Sequence, residues 1–382
     1  MTKFNSLAAF LCFLFSGLNL CGFARADSLP KATQKILADL KLNPSILSGL
    51  DEELHVPGEW IEKAKIEGHL KVISTEKPAE VRKILAPFKE RYPFIDVKFT
   101  ASTRNDRVRT LLAFKSGKVT TDIQSAMGGI FYSFKEADAL ENIGNLPGFN
   151  NVPDVAKDPE GLWVGTELGY RCIGYNSRQV KKEEIPKSWD DLVTNPRWRN
   201  GVIALGNRPQ LWALNLWKSN GEAWTKEFLS KLFLQDKPQL RKEGMNALHE
   251  LLAAGEFDLF IPAGEDATYD LTMAGAPVGF TCPEPIPGTV REVVILKGSP
   301  NANAAKIYLN WLLSKEGQIS QFAGKRGTPA HKDLMQRPEF IANAEQILGK
   351  KVVYRRTEDL TEILPAVQKY WSDLWLRSGQ GR

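Results

Sequence analysis

From residue 58 onward, apolar positions follow two periods in turn. "GEWIEKAKIEGHLKVIS" predicts a helix that stops at Gly68 and a strand near Leu70 to Ile73. "PAEVRKILAPFKERYP" is amphipathic, with Pro78 suited to a first helical turn and Pro93 just past the last. "FIDVKFT" predicts a strand, "NDRVRTLLAFKSG" a helix capped by Asn105, "TTDIQSA" a strand and "GGIFYSFKEADAL" a helix. "LWVGTELGYRCIGYNS" breaks the rhythm and reads as two strands or one long one. Alternation then resumes with "SWDDLVTN" (helix), "GVIALG" (strand) and helices over "RPQLWALNLWKSNG", "AWTKEFLSKLFLQ" and "QLRKEGMNALHELLAAG". "FDLFI" (strand), "EDATYDLTMAG" (helix), "PVGFTC" and "VREVVILKG" (strands) follow, and the remainder is mostly helical. Helices alternating with short strands imply largely parallel sheets. The pattern predicts two α/β units, with a boundary near 165–175 and a return near 283–290. Ligands of such sheets sit where strand C-terminal ends meet helix N-termini, and between two units that position is a cleft.

The first 26 residues differ. Lys3 precedes an apolar run from Leu7 to Cys21, and Ala24 and Ala26 make an A-x-A site. This predicts a secretory signal peptide; about 15 apolar residues are short for a membrane span. An uncleaved anchor is the alternative, and Leu20 before Cys21 fits a lipid-attachment site poorly. Residues 28–58 read as an N-terminal extension with one or two short helices. Cleavage would remove Lys3 and Arg25 and lower the net charge from +5 to +3, too mild to imply nucleic acid or a strong membrane pull. Cys172 and Cys282 remain; an exported compartment permits a disulfide, but spacing leaves bridged and free forms both open.

Familiar catalytic patterns are missing. There is no G-x-S-x-G, H-E-x-x-H, Walker A loop or G-x-G-x-x-G. His55, His69, His249 and His331 lack metal-ligand spacing, and His249 reads as a solvated helix-face residue. What stands out is a set of polar strand-to-helix turns: "STEKP", "TASTRND", "SAMGG" and "GNRPQ". Helix-start amides favour an anion, and Arg104 and Arg208 could grip a carboxylate or phosphate bidentately. Each turn taken singly is also ordinary capping chemistry. The candidate anion contacts are Ser74, Thr75, Ser102, Thr103, Arg104, Gly128, Gly129, Asn207 and Arg208. Trp212, Tyr170, Phe131 and Tyr132 could line the cleft, although Trp212 and Trp217 suit helix packing.

The stretches "KVISTEKPAEVRKILAPFKERYPFIDVKF", "TTDIQSAMGGIFYSFKEADAL", "SWDDLVTNPRWRNGVIALG" and "VVILKGSPNANAAKIYLNWLLSKEGQ" resemble the periplasmic substrate-binding proteins of ABC transporters, in their ferric-iron-binding-like branch. The resemblance runs from about residue 58 to the C-terminus. It implies a type II periplasmic binding protein fold: an α/β chain of two lobes, each a mostly parallel sheet flanked by helices, joined by crossover strands. The implied division is 1–26 signal peptide, 27–58 extension, 59–170 with 284–330 as lobe 1, 171–283 as lobe 2, and 331–382 as C-terminal helices packing on the lobes. It also implies a periplasmic monomer that binds a small molecule and delivers it to a membrane permease, with no enzymatic activity, resident cofactor or nucleic-acid partner. The ferric members hold iron with a histidine in the first turn, a glutamate in the third and adjacent tyrosines late in the second domain. By register, Lys77, Ala126 and the pair Glu265 and Asp266 stand near those places, with Tyr269 close by. A bare ferric ion is therefore not the expected ligand. Glu265, Asp266 and Tyr269 either meet the cationic end of a ligand carrying both signs or form a solvated helix start. A metal-chelate receptor, a ligand sensor and an exported enzyme on the same fold are the alternatives.

Overall fold

The computed structural model describes residues 29–101, 104–356 and 358–378, with residues 104 and 105 described by their backbone only. The signal-peptide prediction and the candidates Ser102 and Thr103 lie outside the described residues. Strands run in spatial order β2-β1-β3-β9-β4-β7-β5-β6. They are β1 (His69–Ser74), β2 (Asp96–Ala101), β3 (Ile123–Ser125), β4 (Val164–Asn176), β5 (Ile203–Gly206), β6 (Gln239–Arg241), β7 (Leu259–Gly264), β8 (Val278–Thr281), β9 (Ile286–Ile295), β10 (Thr328–Pro329) and β11 (Val352–Tyr354). β1 pairs in parallel with β2 and β3, and β5 with β6 and β7. Those are the two parallel units that the alternation predicts.

β4 and β9 join the units. "LWVGTELGYRCIGYNS" is one strand, not two. β4 pairs antiparallel with β9 up to Tyr170↔Gly288, then with β7 from Arg171↔Gly264 and with β8 from Ile173↔Thr281. Most of its residues are buried, which explains its near-continuous apolar reading. Cys172 and Cys282 are disulfide-bonded, so the bridge ties β4 to the segment that leads into β9.

Each unit has its own core. One gathers Phe88, Phe134 and Trp311, the other Trp198, Trp212, Phe233 and Trp371. Trp212 is fully buried and Tyr170 lies in the cluster around the disulfide, so neither lines a cleft. Two element boundaries differ from expectation. The helix Arg104–Lys115 begins at Arg104, which puts Asn105 inside it instead of at its cap. "QLR" is the edge strand β6, and the helix starts only at Met245. Residues 331–350 are turns and short 3₁₀ segments, not helices; the C-terminal helix Leu364–Arg377 packs on the second core.

The extension is a structural strap. Leu37, Ile46, Leu47 and Leu50 pack on Ile319 and Phe322 of the helix Lys315–Lys325. Within that contact Glu316 is buried and accepts from Thr33 Oγ1 at 2.5 Å, Trp311 Nε1 at 2.9 Å and Arg91 Nη2 at 3.0 Å. A buried carboxylate persists only when paired in this way.

Candidate ligand cleft

Loops from the two parallel units enclose two cavities. The larger, about 870 Å³, is walled by the turn after β3, the turn after β5, the helix Arg104–Lys115, Arg355 and the C-terminal helix. The smaller, about 410 Å³, lies between the turn after β1 and the starts of the helices Met245–Ala254 and Glu265–Met273. β9 lines the smaller cavity and passes beside the larger. Arg291 lines the smaller cavity, while its neighbour Glu292 approaches Gly128 N at 3.5 Å beside the larger. Successive strand residues point to opposite faces, so Arg291 turns to the smaller cavity and Glu292 to the turn after β3.

The larger cavity carries positive charge. Arg107, Arg208 and Arg355 line it, and among the described residues no carboxylate does. Gly128 and Gly129 meet it at a turn where φ alternates, +56° at Ala126, −61° at Met127 and +53° at Gly128. Alternation of this kind turns successive N–H groups toward one concavity, and here the protein's own Glu292 meets two of them, Ala126 N donating to its backbone O at 2.8 Å and Gly128 N to its Oε2 at 3.5 Å. An added Cβ at Gly128 would meet nothing within 4 Å; the left-handed φ is what requires glycine there. The following helix, Phe131–Glu136, is only six residues long, so no long helix dipole points at this part of the cavity. Asn207 accepts from Trp371 Nε1 at 3.0 Å, and Arg208 Nη1 donates to Asn207 O at 3.2 Å.

The smaller cavity is mixed in sign and richer in acid. Glu76, Glu80, Glu250, Asp266 and Asp270 face Lys77, Arg291 and Lys325. Two of those cations are already held. Arg291 lies 3.4 Å from both Glu76 and Glu167 and donates to Thr75 Oγ1 at 2.7 Å. Lys325 pairs with Glu167 and lies 3.5 Å from Glu76. Burial alone would raise Glu76, but Arg291 and Lys325 overcome it and hold the carboxyl at about 2. Burial, aided by Asp266, pushes Asp270 up.

The candidate residues therefore divide. Gly128, Gly129, Asn207 and Arg208 share the larger cavity; Thr75, Lys77 and Asp266 share the smaller. Arg104 begins the helix that borders the larger one. Ser74 points inward, with Oγ against Ser125 Oγ. Tyr269 packs on the disulfide cluster. Glu265 is 1% exposed and accepts from Tyr170 N at 2.9 Å. Burial and the neighbouring Asp266 raise its carboxyl to about 8, against the pull of Arg171. The adjacent acids of "GED" thus face in different directions: one into the protein, one into a cavity.

His249 is not solvated. It is 3% exposed, its Nδ1–H donates to Met245 O at 2.8 Å, and its Nε2 accepts from Gly264 N at 3.2 Å. Burial lowers its pKa, and the neutral ring fixes the turn before Glu265. Arg107, Arg291, Lys325 and Arg355 escaped the sequence reading. Adjacent opposite charges inside the apolar run "VREVV" were a usable signal for Arg291; Arg355 offered none. Elsewhere Glu53, His331 and Asp333 cluster as metal ligands do, but Lys315 Nζ lies 3.2 Å from Glu53 and 3.3 Å from Asp333 and supplies the positive charge.

Two parallel α/β units, joined by shared crossover strands and facing each other across polar turns, make the fold of the type II periplasmic binding proteins. The chain belongs to the bacterial extracellular solute-binding protein family, whose pattern matches residues 73–319. Among curated relatives is iron uptake protein A1 of Synechocystis sp., 27% identical over 222 residues; the match covers 52% of this chain and 59% of that protein's length. Among solved structures, iron-bound HitA from Pseudomonas aeruginosa superimposes with a TM-score of 0.66 at 17% identity, over 80% of this chain and 99% of that one. AfuA from Actinobacillus pleuropneumoniae, with exogenous fructose-6-phosphate bound, gives 0.65 at 20% identity, over 80% and 98%. At such identities the structural likeness establishes the fold. No described helix is long and apolar enough to cross a membrane.

Proposed function

We propose that the protein is a periplasmic, monomeric solute receptor that captures a small polar ligand, anionic or zwitterionic, and delivers it to an ABC permease. The observation that carries this reading is the larger cavity, where Arg107, Arg208 and Arg355 and the Gly128–Gly129 turn converge without a lining carboxylate. The two lobes, 59–170 with 284–330 and 171–283, close about β4 and β9 as a hinge. The closed form is what the permease recognises. The protein is a binder and not an enzyme on this reading, since the paired acids that a reaction would use are split between the core and a cavity.

Metal-chelate binding is the second reading. The Synechocystis relative is an iron uptake protein and HitA is iron-bound, and Glu80, Asp266 and Asp270 offer hard oxygens in the smaller cavity. Against a bare ferric ion, Lys77 and Ala126 stand near the ligand places of the ferric members, and Lys77 adds positive charge. The test is native mass spectrometry of the exported protein followed by thermal shift. A ligand at 100 times its Kd should add about 2.7 kcal/mol of stability. Protein that carries no adduct and responds neither to anions nor to ferric chelates would sink both readings.

A further inference from the structure

The family pattern covers residues 73–319, and the two stretches outside it meet each other. After β10, which lies on β4 at Glu167 and Leu168, the chain passes through turns and short 3₁₀ segments to β11 and then to the C-terminal helix. It leaves the first core at Ala330 and joins the second at Leu360, so it is a third connection between the units besides β4 and β9. Its first part is built on the N-terminal extension. Leu334 and Phe340 are fully buried in the cluster that Leu37, Leu47 and Leu50 make with Phe322, and Phe340 meets Phe322 edge-on with ring centroids 5.1 Å apart. Polar bonds repeat the tie. Glu53, in the helix Leu50–Leu54, accepts from Lys315 N at 2.8 Å and lies 3.2 Å from Lys315 Nζ. His331 Nδ1 accepts from Asp333 N at 3.1 Å, which leaves Nε2 to donate to Glu53 Oε1 at 3.2 Å.

The residue after Phe340 belongs to the other side. Ile341 and Ala342 join the cluster of Cys172, Phe280 and Cys282, where β4 has already passed from β9 to β7 and β8. Gln346 Oε1 accepts from Cys282 N at 3.3 Å, and Lys350 Nζ donates to Cys282 O at 2.9 Å. Adjacent Cα atoms are about 3.8 Å apart, so the connection has no slack between its two anchorages.

Resting on the receptor reading for the lobe motion itself, we propose that the N-terminal extension is a brake on the hinge. By locking Phe340 to lobe 1 it makes Phe340–Ile341 a third pivot and limits how far the cleft opens. A taut link restrains rotation only while both ends hold. The lobe 2 end is secured by the disulfide cluster and by the pairing of β11 with β9. The lobe 1 end has no long helix or strand of its own and depends on discrete side-chain contacts, which open locally at low cost. Half of those contacts come from the extension.

Hydrogen exchange and inter-lobe distances, measured on the full exported chain without ligand, test this. In the wild type, amides of 46–54 and 331–342 should open with one common free energy, as a single cooperative unit. Leu47 is fully buried in the extension and lines neither cavity. Leu47→Ala should speed exchange at 331–342 about tenfold or more relative to β5 and β7. Spin labels at Lys98→Cys and Lys242→Cys, both exposed and on different units, should give a broader distance distribution in that variant than in the wild type. Glu53→Gln keeps the shape but loses the charge that holds Lys315 and His331, and it takes the place of Leu47→Ala should that variant fail to fold. Separate opening of the two segments in the wild type, faster exchange confined to 29–54, or an unaltered distance distribution would each overturn the brake and leave the receptor reading standing. Failure of the receptor reading shows instead in calorimetry, as a chain that binds no solute.

Discussion

At the scale of the residue, Glu265 shows how position sets chemistry. It shares its helix start with Asp266, but consecutive helical residues project about 100° apart. One enters the protein and the other a cavity. No pattern in "GEDATYD" reports that difference, because an acidic first turn is favourable in water whichever way each side chain faces. The consequence can be measured. Burial, with Asp266, lifts Glu265 from 4.5 to about 8. Below pH 4.5 the carboxyl is protonated in both folded and unfolded chains and contributes nothing to pH dependence. Between 4.5 and 8 the unfolded chain has released the proton that the folded chain keeps, so stability falls as pH rises, and the full cost is reached above 8. Glu265→Gln should therefore stabilise the protein by a few kcal/mol at pH 8.5, roughly several degrees in Tm, and change little at pH 5. Melting curves at both pH values check this; an equal effect at both would contradict the burial argument. His249 carries the same lesson with opposite charge. Its spacing suits an exposed helix face, yet both nitrogens are bonded inside the protein.

Among elements, strands with a strong pattern were legible and short ones were not. β1, β2, β5 and β7 stand where apolar runs end at turn residues. β6 has three residues, all of intermediate burial, so it shows neither alternation nor an apolar run, and helix-favouring neighbours absorb it. Whether β4 was one strand or two was equally hidden. Its continuity depends on changing partners from β9 to β7 and β8, which is a property of the sheet. The disulfide reinforces that junction, closing a sequence separation of 110 residues. Cross-linking a loop of this size restricts the unfolded chain strongly, so reduction, or the double change Cys172→Ser and Cys282→Ser, should cost about 2–5 kcal/mol. Urea unfolding with and without reductant checks this, and unchanged midpoints would show the bond to be thermodynamically idle.

For the whole molecule, the receptor reading requires motion. If β4 and β9 are the hinge, ligand binding should draw the lobes together, and small-angle scattering should show a smaller radius of gyration with saturating ligand. An unchanged radius, with binding confirmed by calorimetry, would mean a rigid site. The sequence alone determined the two α/β units, the crossover region and the polar turns, because periodicity and turn chemistry are local properties of the chain. Tertiary structure alone decided that the candidate contacts fall into two cavities of different charge, that Cys172 meets Cys282, and that Arg355 reaches a cleft formed by residues far earlier in the chain. The physical reason is that a side chain's charge state and partners depend on what other segments bring against it, and those segments are joined by the fold, not by adjacency.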